Sequence, residues 1–247
     1  MTENKNSVYF NGIRFSSLNL DNVVNEILSG GVRSHIHLAA ASTITEASSD
    51  FQLRVILNDG ITLCDSKPMS KWLNFRGSRI QQIRGADLFR ETLKKSNIDN
   101  RHYFIGGKEE TLEKLIQSIE SNYPSASIAG FFSPPFGQPS SDEIKSWTER
   151  VQNSEANIVW IGLGSPKQDF VSSQIANATG KSVIAVGAAF DFLGGTVSEA
   201  PHFIQVIGFE WLYRLLSEPR RLWKRYTVGN VKFIMLLLRD FVANSRA

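Results

Sequence analysis

The chain has 247 residues, of which 42% are hydrophobic and 21% are charged, and its net charge is +3. These values are typical of a globular protein with one full core, with or without a small appendage. The single cysteine, Cys64, excludes an internal disulfide bond and fits a reducing compartment. The longest apolar run near either end, residues 233–238, is too short to span a membrane, and the polar residues 1–6 predict no signal peptide.

The N-terminal part of the chain begins with a predicted hairpin. Its strands, residues 8–10 and 13–15, flank Asn11-Gly12, and both of these turn residues favour a positive φ. Apolar residues at helical spacing then predict a helix from Leu20 to Leu28, which Gly30-Gly31 ends. The next predicted elements are a strand over residues 35–40, a helix through about Leu57 and a strand over Ile61–Cys64.

The middle of the chain alternates strands and helices. Strands are predicted over residues 102–105, 126–132, 157–163 and 182–187, and helices over Glu109–Asn122, from about Ser141 and after Pro166. This alternation predicts parallel βαβ units with right-handed crossovers, and so a Rossmann-like α/β sandwich over residues 1–200.

Residues 201–247 are predicted to form a helical, basic C-terminal appendage. Pro219 is suited to open a helix, and one apolar stripe is expected from Trp211, Leu212, Leu215 and Leu216. From Arg214 onward, eight basic residues stand against two acidic ones, a net charge of +6. The preceding residues therefore carry −3, and a basic tail on an acidic body predicts an anionic partner: phosphate, lipid head groups or nucleic acid.

Three glycine-containing turns follow predicted strands and precede helices, where unpaired N–H groups bind phosphate in α/β proteins. They are Gly106-Gly107, the turn from Gly162 through Gly164 to Lys167 and Gln168, and Gly187-Ala188-Ala189. The alternative is that small residues simply make tight turns there. Lys167 stands where a dinucleotide fingerprint requires glycine, which disfavours a nicotinamide enzyme. The sequence also lacks the motifs of P-loop ATPases, zinc proteases and α/β-hydrolases.

Asp65 directly follows the strand Ile61–Cys64, at the edge of the sheet where ligands bind. A carboxylate there is suited to act as a general base, although it is equally a residue type that caps the next segment. His35 and His37 alternate on one strand and share a face. They lack neighbouring ligands in a metal-binding pattern, so at least one is expected to be structural, and no metal or cofactor is predicted.

The C-terminal basic cluster is interleaved with aromatic residues. Its members are Arg214, Arg220, Arg221, Lys224 and Arg225, with Trp211, Tyr213, Trp223 and Tyr226 between and beside them. Arginine forks bind phosphate oxygens, and aromatic rings are favoured at membrane interfaces, so the cluster predicts contact with diphosphate or with an anionic membrane surface. The alternative is a solvated basic face with the aromatic rings in the core.

Three segments resemble motifs of the WecG/TagA/CpsF glycosyltransferases (glycosyltransferase family 26). GLGSPKQD at residues 162–169 is similar to the family's GxGxPKQE, with Asp169 for Glu. VGAAFDFLGG at 186–195 is similar to GVGxxFDxxxG and includes Asp191. GFEWLYRLLSEPRR at 208–221 is similar to GLEWLYRLxxEPxR. The resemblance runs from about residue 8 to residue 233.

The resemblance implies an inverting transfer of a sugar from a UDP-sugar to an undecaprenyl-diphosphate-linked saccharide. Asp65 matches the family's catalytic base, and the nucleotide sugar is expected at Gly106, Gly107, Gly162, Gly164, Lys167, Gln168, Gly187 and Asp191. Diphosphate or lipid contact is expected from Arg214, Arg220, Arg221 and Arg225. The resemblance also implies no cofactor, a peripheral position on the inner face of the cytoplasmic membrane and, as in some members, a homo-oligomer.

Four positions depart from the family pattern: Ser66 after Asp65, the stretch around residues 38–41, Gln82, and Glu199 before Ala200-Pro201. They favour a divergent, exopolysaccharide-type member with a hexose donor as readily as an N-acetylmannosamine donor. A second hypothesis is an inactive homologue that binds nucleotide or lipid phosphate. Nucleic-acid binding is disfavoured because the rest of the chain is net acidic.

Overall fold

An antiparallel hairpin opens the part of the chain that the structure describes. A computed structural model describes residues 7–244, apart from the side chains of Arg221 and Asn244, so residues 1–6, on which the signal-peptide prediction depends, lie outside it. Strands β1 (Ser7–Phe10) and β2 (Ile13–Ser16) pair around Asn11 and Gly12, which both have positive φ. The predicted hairpin is confirmed.

Six parallel strands form the central sheet. They are β3 (His35–Ala39), β4 (Ile61–Cys64), β5 (Arg101–Gly106), β6 (Ser127–Phe132), β7 (Ile158–Gly162) and β8 (Ser182–Ala185). Their order across the sheet is β4-β3-β8-β7-β5-β6, and all pairs are parallel. The carboxyl ends of the strands therefore meet at one edge, and the predicted Rossmann-like α/β architecture is confirmed.

Twelve helices are present among residues 7–244. They are α1 (Leu20–Leu28), α2 (Ala41–Ala47), α3 (Phe51–Asp59), α4 (Lys67–Phe75), α5 (Gly85–Lys95), α6 (Glu109–Asn122), α7 (Ser141–Asn153), α8 (Lys167–Thr179), α9 (Ala189–Leu193), α10 (His202–Ile207), α11 (Glu210–Ser217) and α12 (Pro219–Asn244). The single helix predicted through Leu57 is wrong. The chain breaks after Ala47, and the side chain of Asp50 caps α3 by accepting from the backbone N–H of Leu53 at 3.0 Å.

Alternating residues of the strands supply separate cores on the two faces of the sheet. Ile36 and Leu38 of β3 pack in one cluster with the apolar faces of α1, α5 and α6. Ala39 of β3 belongs to a second cluster, which includes the hairpin, α2 and α3. This period-2 alternation is what a parallel sheet covered on both faces requires.

The last helix, α12, packs against the second of these clusters. Helix α12 begins at Pro219, as predicted, and its Phe233 is buried in the cluster that contains Phe10 and Leu53. Trp72 Nε1 of α4 donates to Asp240 Oδ2 of α12 at 2.9 Å. The residues of the predicted apolar stripe all lie on α11, where Trp211, Leu212 and Leu215 are half-buried and Leu216 is 74% exposed. The boundary near residue 200 stays a prediction.

A buried histidine makes the stability of the fold depend on pH. Trp160 Nε1 donates to His102 Nδ1 at 2.9 Å, and His102 Nε2 lies 2.9 Å from Ser96 Oγ. Burial lowers the pKa of His102 from 6.5 to about 4. The unfolded chain therefore binds a proton below pH 6.5 that the folded protein takes up only near pH 4.

The free energy of unfolding is therefore expected to be highest above pH 6.5 and to fall towards pH 4. His102 alone contributes a loss of roughly 3 kcal/mol over that interval. Urea unfolding followed by tryptophan fluorescence at a series of pH values measures it. His102→Asn is expected to be less stable at neutral pH but less sensitive to acid. An identical pH dependence in the variant would contradict this account.

Candidate active site

A cleft of about 1580 Å³ lies between the carboxyl edge of the sheet and the C-terminal helices. Such an edge is where open α/β sheets bind ligands, because strand ends and helix N-termini present unpaired polar groups there. The structure brings ten of the predicted site residues into its wall: Asp65, Gly107, Gly162, Gly164, Lys167, Gln168, Gly187, Asp191, Arg214 and Arg225.

Gly106 is buried behind this wall. It has φ +124°, and a Cβ added to it would lie 2.5 Å from the carbonyl oxygen of Gly162 on the neighbouring strand β7. A Cβ on Gly162 would in turn lie 2.7 Å from the ring of Phe190. Gly106 therefore allows the close approach of the strand ends, and its predicted contact with nucleotide remains a prediction.

The turn after β7 is shaped by a side chain that lies within it. The backbone N–H of Gly164 donates to Oε1 of Gln168 at 3.0 Å, and Gly164 has φ +78°. This bond defines the orientation of the Gln168 amide, because its nitrogen cannot accept from an N–H. The Nε2 hydrogens of Gln168 are therefore the part of the amide available to a ligand in the cleft.

The loop after β6 reaches over the same turn. Lys167 Nζ donates to the carbonyl oxygen of Gly137 at 2.9 Å and lies 5.9 Å from the ring centroid of Phe136. Phe136 is fully exposed and lines the cleft. The ammonium of Lys167 thus connects this loop to the glycine-rich turn, and no local sequence signal predicts either partner.

Asp65 extends the β4 edge by one residue into the cleft. Its backbone N–H donates to the carbonyl oxygen of Ala39 at 3.1 Å, and its own carbonyl accepts from Gln82 Nε2 at 3.1 Å. Burial of the carboxyl, followed by the negative charge of Glu210, raises the pKa of Asp65 well above its ordinary value. The nearby positive charge of Arg84 opposes that shift. A proton-accepting group with a raised pKa is what general base catalysis near neutral pH requires.

Arg84 joins the α/β core to the C-terminal helices at the side of Asp65. Its Nε donates to Glu210 Oε2 of α11 at 2.9 Å, and its Nη1 donates to Gln205 Oε1 of α10 at 2.8 Å. Nη2 of Arg84 makes a further short ion pair with Glu199. Arg84 is only 8% exposed, so these bonds offset the cost of burying its charge. No local sequence pattern predicts these contacts of Arg84 with Gln205 and Glu210.

Two of the four predicted arginines point into the cleft. Nε of Arg214 is buried and has no hydrogen-bond partner among the described residues, and its guanidinium lies 5.5 Å from the ring centroid of Phe192. Arg225 donates from Nε and Nη2 to Ser42 Oγ of α2 at 2.9 and 2.7 Å. Arg220 is exposed to solvent instead. Arg221 belongs to α12, but its side chain lies outside the described part of the structure.

His35 and His37 are both fully buried and are hydrogen-bonded to each other at 2.6 Å. His37 Nδ1 also lies 2.8 Å from Oδ1 of Asp169. The expectation of a structural histidine is met by this pair, since both lie in the interior under the glycine-rich turn. Across residues 7–244, no group of three or more His, Cys, Asp or Glu side chains is arranged to hold a metal ion.

Comparison with known proteins places the chain in a family. The model of the glycosyl transferase WecG/TagA/CpsF family matches residues 8–247. The chain belongs to that family. It is 32% identical over 197 residues to the N-acetylglucosaminyldiphosphoundecaprenol N-acetyl-β-D-mannosaminyltransferase of Bacillus subtilis strain 168, covering 78% of this chain and 70% of the relative. The same-named protein of Bacillus spizizenii is 30% identical over 206 residues, or 81% of this chain and 72% of the relative.

The WecG/TagA/CpsF assignment makes the chain a glycosyltransferase, as the sequence motifs predicted. The names of the two relatives specify an acceptor linked to undecaprenyl through a diphosphate. In the part of this family member that the structure covers, no helix is both long enough and apolar enough to cross a bilayer.

Proposed function

We propose that the protein transfers a sugar from a UDP-sugar to a saccharide linked to undecaprenyl diphosphate, with inversion at the anomeric carbon. One observation carries this proposal. The carboxyl of Asp65, with its raised pKa, and the guanidinium of Arg214, with its unpartnered Nε, line the same cleft. A base and a buried cation in one cleft suit a reaction in which a hydroxyl loses a proton while a diphosphate leaves.

The proposed reaction is a single displacement. Asp65 takes the proton of the acceptor hydroxyl, and the hydroxyl oxygen forms a bond to the anomeric carbon of the donor. The bond from that carbon to the diphosphate oxygen breaks at the same time, and UDP leaves with the electron pair. Attack from the face opposite the leaving group inverts the anomeric configuration. The carboxyl of Asp65 has the raised affinity for a proton that this step uses.

The leaving diphosphate is proposed to lie between the glycine-rich turn and the C-terminal helices. Gln168 offers the Nε2 hydrogens that its bond to Gly164 leaves available. Arg214 offers a buried donor that is not used by any other described residue. Donors fixed in place before the reaction stabilise developing negative charge strongly, because they need no reorganisation in the transition state.

Helix α12 carries an exposed apolar stripe suited to a membrane surface. Val228, Val231, Met235, Leu238 and Val242 recur at alternating spacings of three and four residues and are 49% to 59% exposed. Basic residues of the same helix, including Lys224 and Arg239, add attraction to anionic lipids. We propose that this face holds the protein peripherally on the inner leaflet, where a polyprenyl-linked acceptor is anchored.

Replacing two residues of the stripe tests this membrane contact. The double variant Val231→Ser and Leu238→Ser is expected to lower the partition coefficient for phosphatidylglycerol-containing vesicles by at least about tenfold, because it removes apolar area from the bilayer interface. Ile98→Ser, on an exposed apolar residue outside α12, is the matched control and is expected to bind as the parent does. Equal co-sedimentation of all three proteins would rule out α12 as the membrane contact.

The reaction itself is tested by incubation with a panel of labelled UDP-sugars and a short-chain polyprenyl-diphosphate-linked N-acetylglucosamine. The panel includes UDP-N-acetylmannosamine, which the names of the relatives suggest, and hexose donors of the exopolysaccharide type. One donor is expected to transfer its label to the extractable lipid. Absence of label from the lipid with every donor, despite UDP binding, would instead favour an inactive homologue.

A further inference from the structure

A hydrogen-bonded array of side chains runs from the protein interior to the cleft. His35 Nδ1 lies 2.6 Å from His37 Nε2, and His37 Nδ1 lies 2.8 Å from Asp169 Oδ1. Asp169 Oδ2 accepts from Ser165 Oγ at 2.6 Å, and Thr43 Oγ1 donates to Ser165 Oγ at 3.2 Å. Ser165 and Thr43 line the cleft. The buried carboxyl of Asp169 is therefore connected to the cleft wall through the hydroxyl of Ser165.

The carboxylate of Asp169 determines the direction of the bonds in this array. Because a carboxylate only accepts, His37 donates from Nδ1 to Asp169. Burial, together with the nearby His37, lowers the pKa of His35 to about 4, so His35 is neutral near pH 7. The side chains of His37 and Ser165 thus both point their hydrogen bonds towards Asp169.

The position of Asp169 is not explained by capping of α8. Asp169 is in the first turn of that helix, but its two oxygens are used by the side chains of His37 and Ser165 rather than by helix N–H groups. At 1% exposure, a carboxylate loses its hydration, which is unfavourable unless hydrogen bonds replace it. The bonds that replace it hold Ser165, the residue that leads from the glycine-rich turn into α8.

Ser165 lies at the junction of the groups that face the cleft. It follows Gly164, whose N–H is bonded to Gln168, so a shift of Ser165 would move the Gln168 amide. Its other partner, Thr43, is next to Ser42, which binds Arg225 of α12. The hydroxyl of Ser165 therefore sets the spacing between the turn after β7 and the N-terminal turn of α2, both of which line the cleft.

We infer that Asp169 is a positioning residue, which through Ser165 holds the turn of residues 162–168 in the shape that receives the diphosphate of a nucleotide sugar. The inference rests on the proposed function, because it takes the cleft as the diphosphate site. Asp169 itself does not touch the ligand. Replacing Asp169 is therefore expected to have no further effect on nucleotide binding in a protein whose Ser165 already lacks its hydroxyl.

A double-mutant cycle on UDP affinity tests this dependence. Isothermal titration of the full chain with UDP is expected to show about tenfold weaker binding for Asp169→Asn and for Ser165→Ala. The double variant is expected to bind UDP no more weakly than Asp169→Asn alone, whereas independent effects would multiply to about a hundredfold. Asp169→Glu keeps the carboxylate and is expected to retain most of the affinity.

The matched control perturbs another buried histidine network. His102→Asn removes the partner of Trp160 on the far side of the sheet and is expected to lower the melting temperature while leaving UDP affinity unchanged. A purely structural Asp169 would behave in the same way. Should Asp169→Asn fail to fold, His37→Asn takes its place in the cycle, because it removes a donor from the array and leaves the carboxylate.

Folded Asp169→Asn or His37→Asn that binds UDP as tightly as the parent would overturn the inference. Multiplicative losses in the double variant would also overturn it, because Asp169 would then act independently of Ser165. A parent protein that does not bind UDP at all would instead overturn the proposed function, and the inference with it. The two failures are distinguished by the affinity of the parent.

Discussion

Asp65→Asn is expected to lower kcat by roughly 10²- to 10⁴-fold, the usual contribution of a general base. Asparagine has nearly the same shape but cannot accept the proton of the acceptor hydroxyl, so KM for either substrate is expected to change little. Initial rates of label transfer to lipid measure the effect. Asp99→Asn, an exposed residue before β5 at the opposite edge of the sheet, is the control. Near-parental turnover of Asp65→Asn would remove Asp65 from the mechanism.

The pH dependence of kcat/KM is an independent test of the role of the Asp65 carboxyl. Asp65 acts only when deprotonated, so kcat/KM is expected to rise with pH through its pKa. Because that pKa is raised, the pH at which kcat/KM is half-maximal should lie well above about 4, the ordinary pKa of an aspartate. Glu210→Gln removes a neighbouring negative charge and is expected to move this acid limb to lower pH. A shift to higher pH would contradict the electrostatic coupling.

Arg214→Leu is expected to lower kcat about 10²- to 10³-fold, comparable with the loss of one donor to a developing anion. The side chain has a buried Nε without a partner among the described residues, so it is available to the departing diphosphate. Its positive charge also lowers the pKa of Asp65, and the acid limb of Arg214→Leu should therefore move to higher pH. Neither effect is expected from Arg33→Leu, an exposed arginine before β3.

Arg214→Lys distinguishes a fork-shaped donor from a charge alone. Lysine keeps the charge but places it at a single nitrogen. Compared with Arg214→Leu, Arg214→Lys should therefore return the acid limb of the pH profile close to its parental pH while leaving kcat well below the parental value. Full turnover in Arg214→Leu, with the acid limb unmoved, would show that the diphosphate does not depend on this residue.

The strands could be predicted because their signals are local. The strand Ile61–Cys64 was predicted with the bounds that the structure has, since alternating apolar residues after Gly60 define it. The same holds for the helix Glu109–Asn122, which follows Gly106-Gly107 and has apolar residues at helical spacing. The break between α2 and α3 was missed because Asp50 lies inside an otherwise helical pattern. Only its side-chain bond to the N–H of Leu53 identifies it as the start of a new helix.

The candidate site was predictable where a motif supplied it and not where distant segments meet. Asp65, Gln168 and Arg214 were identified by position and resemblance, and the structure brings them into one cleft. Arg84 could not be predicted to bind Glu210, because 126 residues separate them and no local pattern records the pairing. The bond of His37 to Asp169 spans 132 residues and escapes sequence reasoning for the same reason.

Gly106 has a structural role that its local sequence does not reveal. Its place after a strand and before a helix is the same as that of a phosphate-binding glycine, which is why the sequence predicted a nucleotide contact. The structure adds a steric reason for this glycine, the close approach to Gly162 of the neighbouring strand, and the nucleotide contact stays a prediction. Which glycine faces the ligand depends on the pairing of β5 with β7, and that register is a property of the whole sheet.

The anomeric configuration of the product is the most direct test of the central claim, a single displacement assisted by Asp65. Nuclear magnetic resonance of the lipid-linked product from an α-linked UDP-sugar is expected to show only the β-anomer, with one UDP released per sugar transferred. Retention of the α configuration would exclude a single displacement from the face opposite the leaving group and would contradict the account. Release of UDP without a lipid-linked product would contradict it equally.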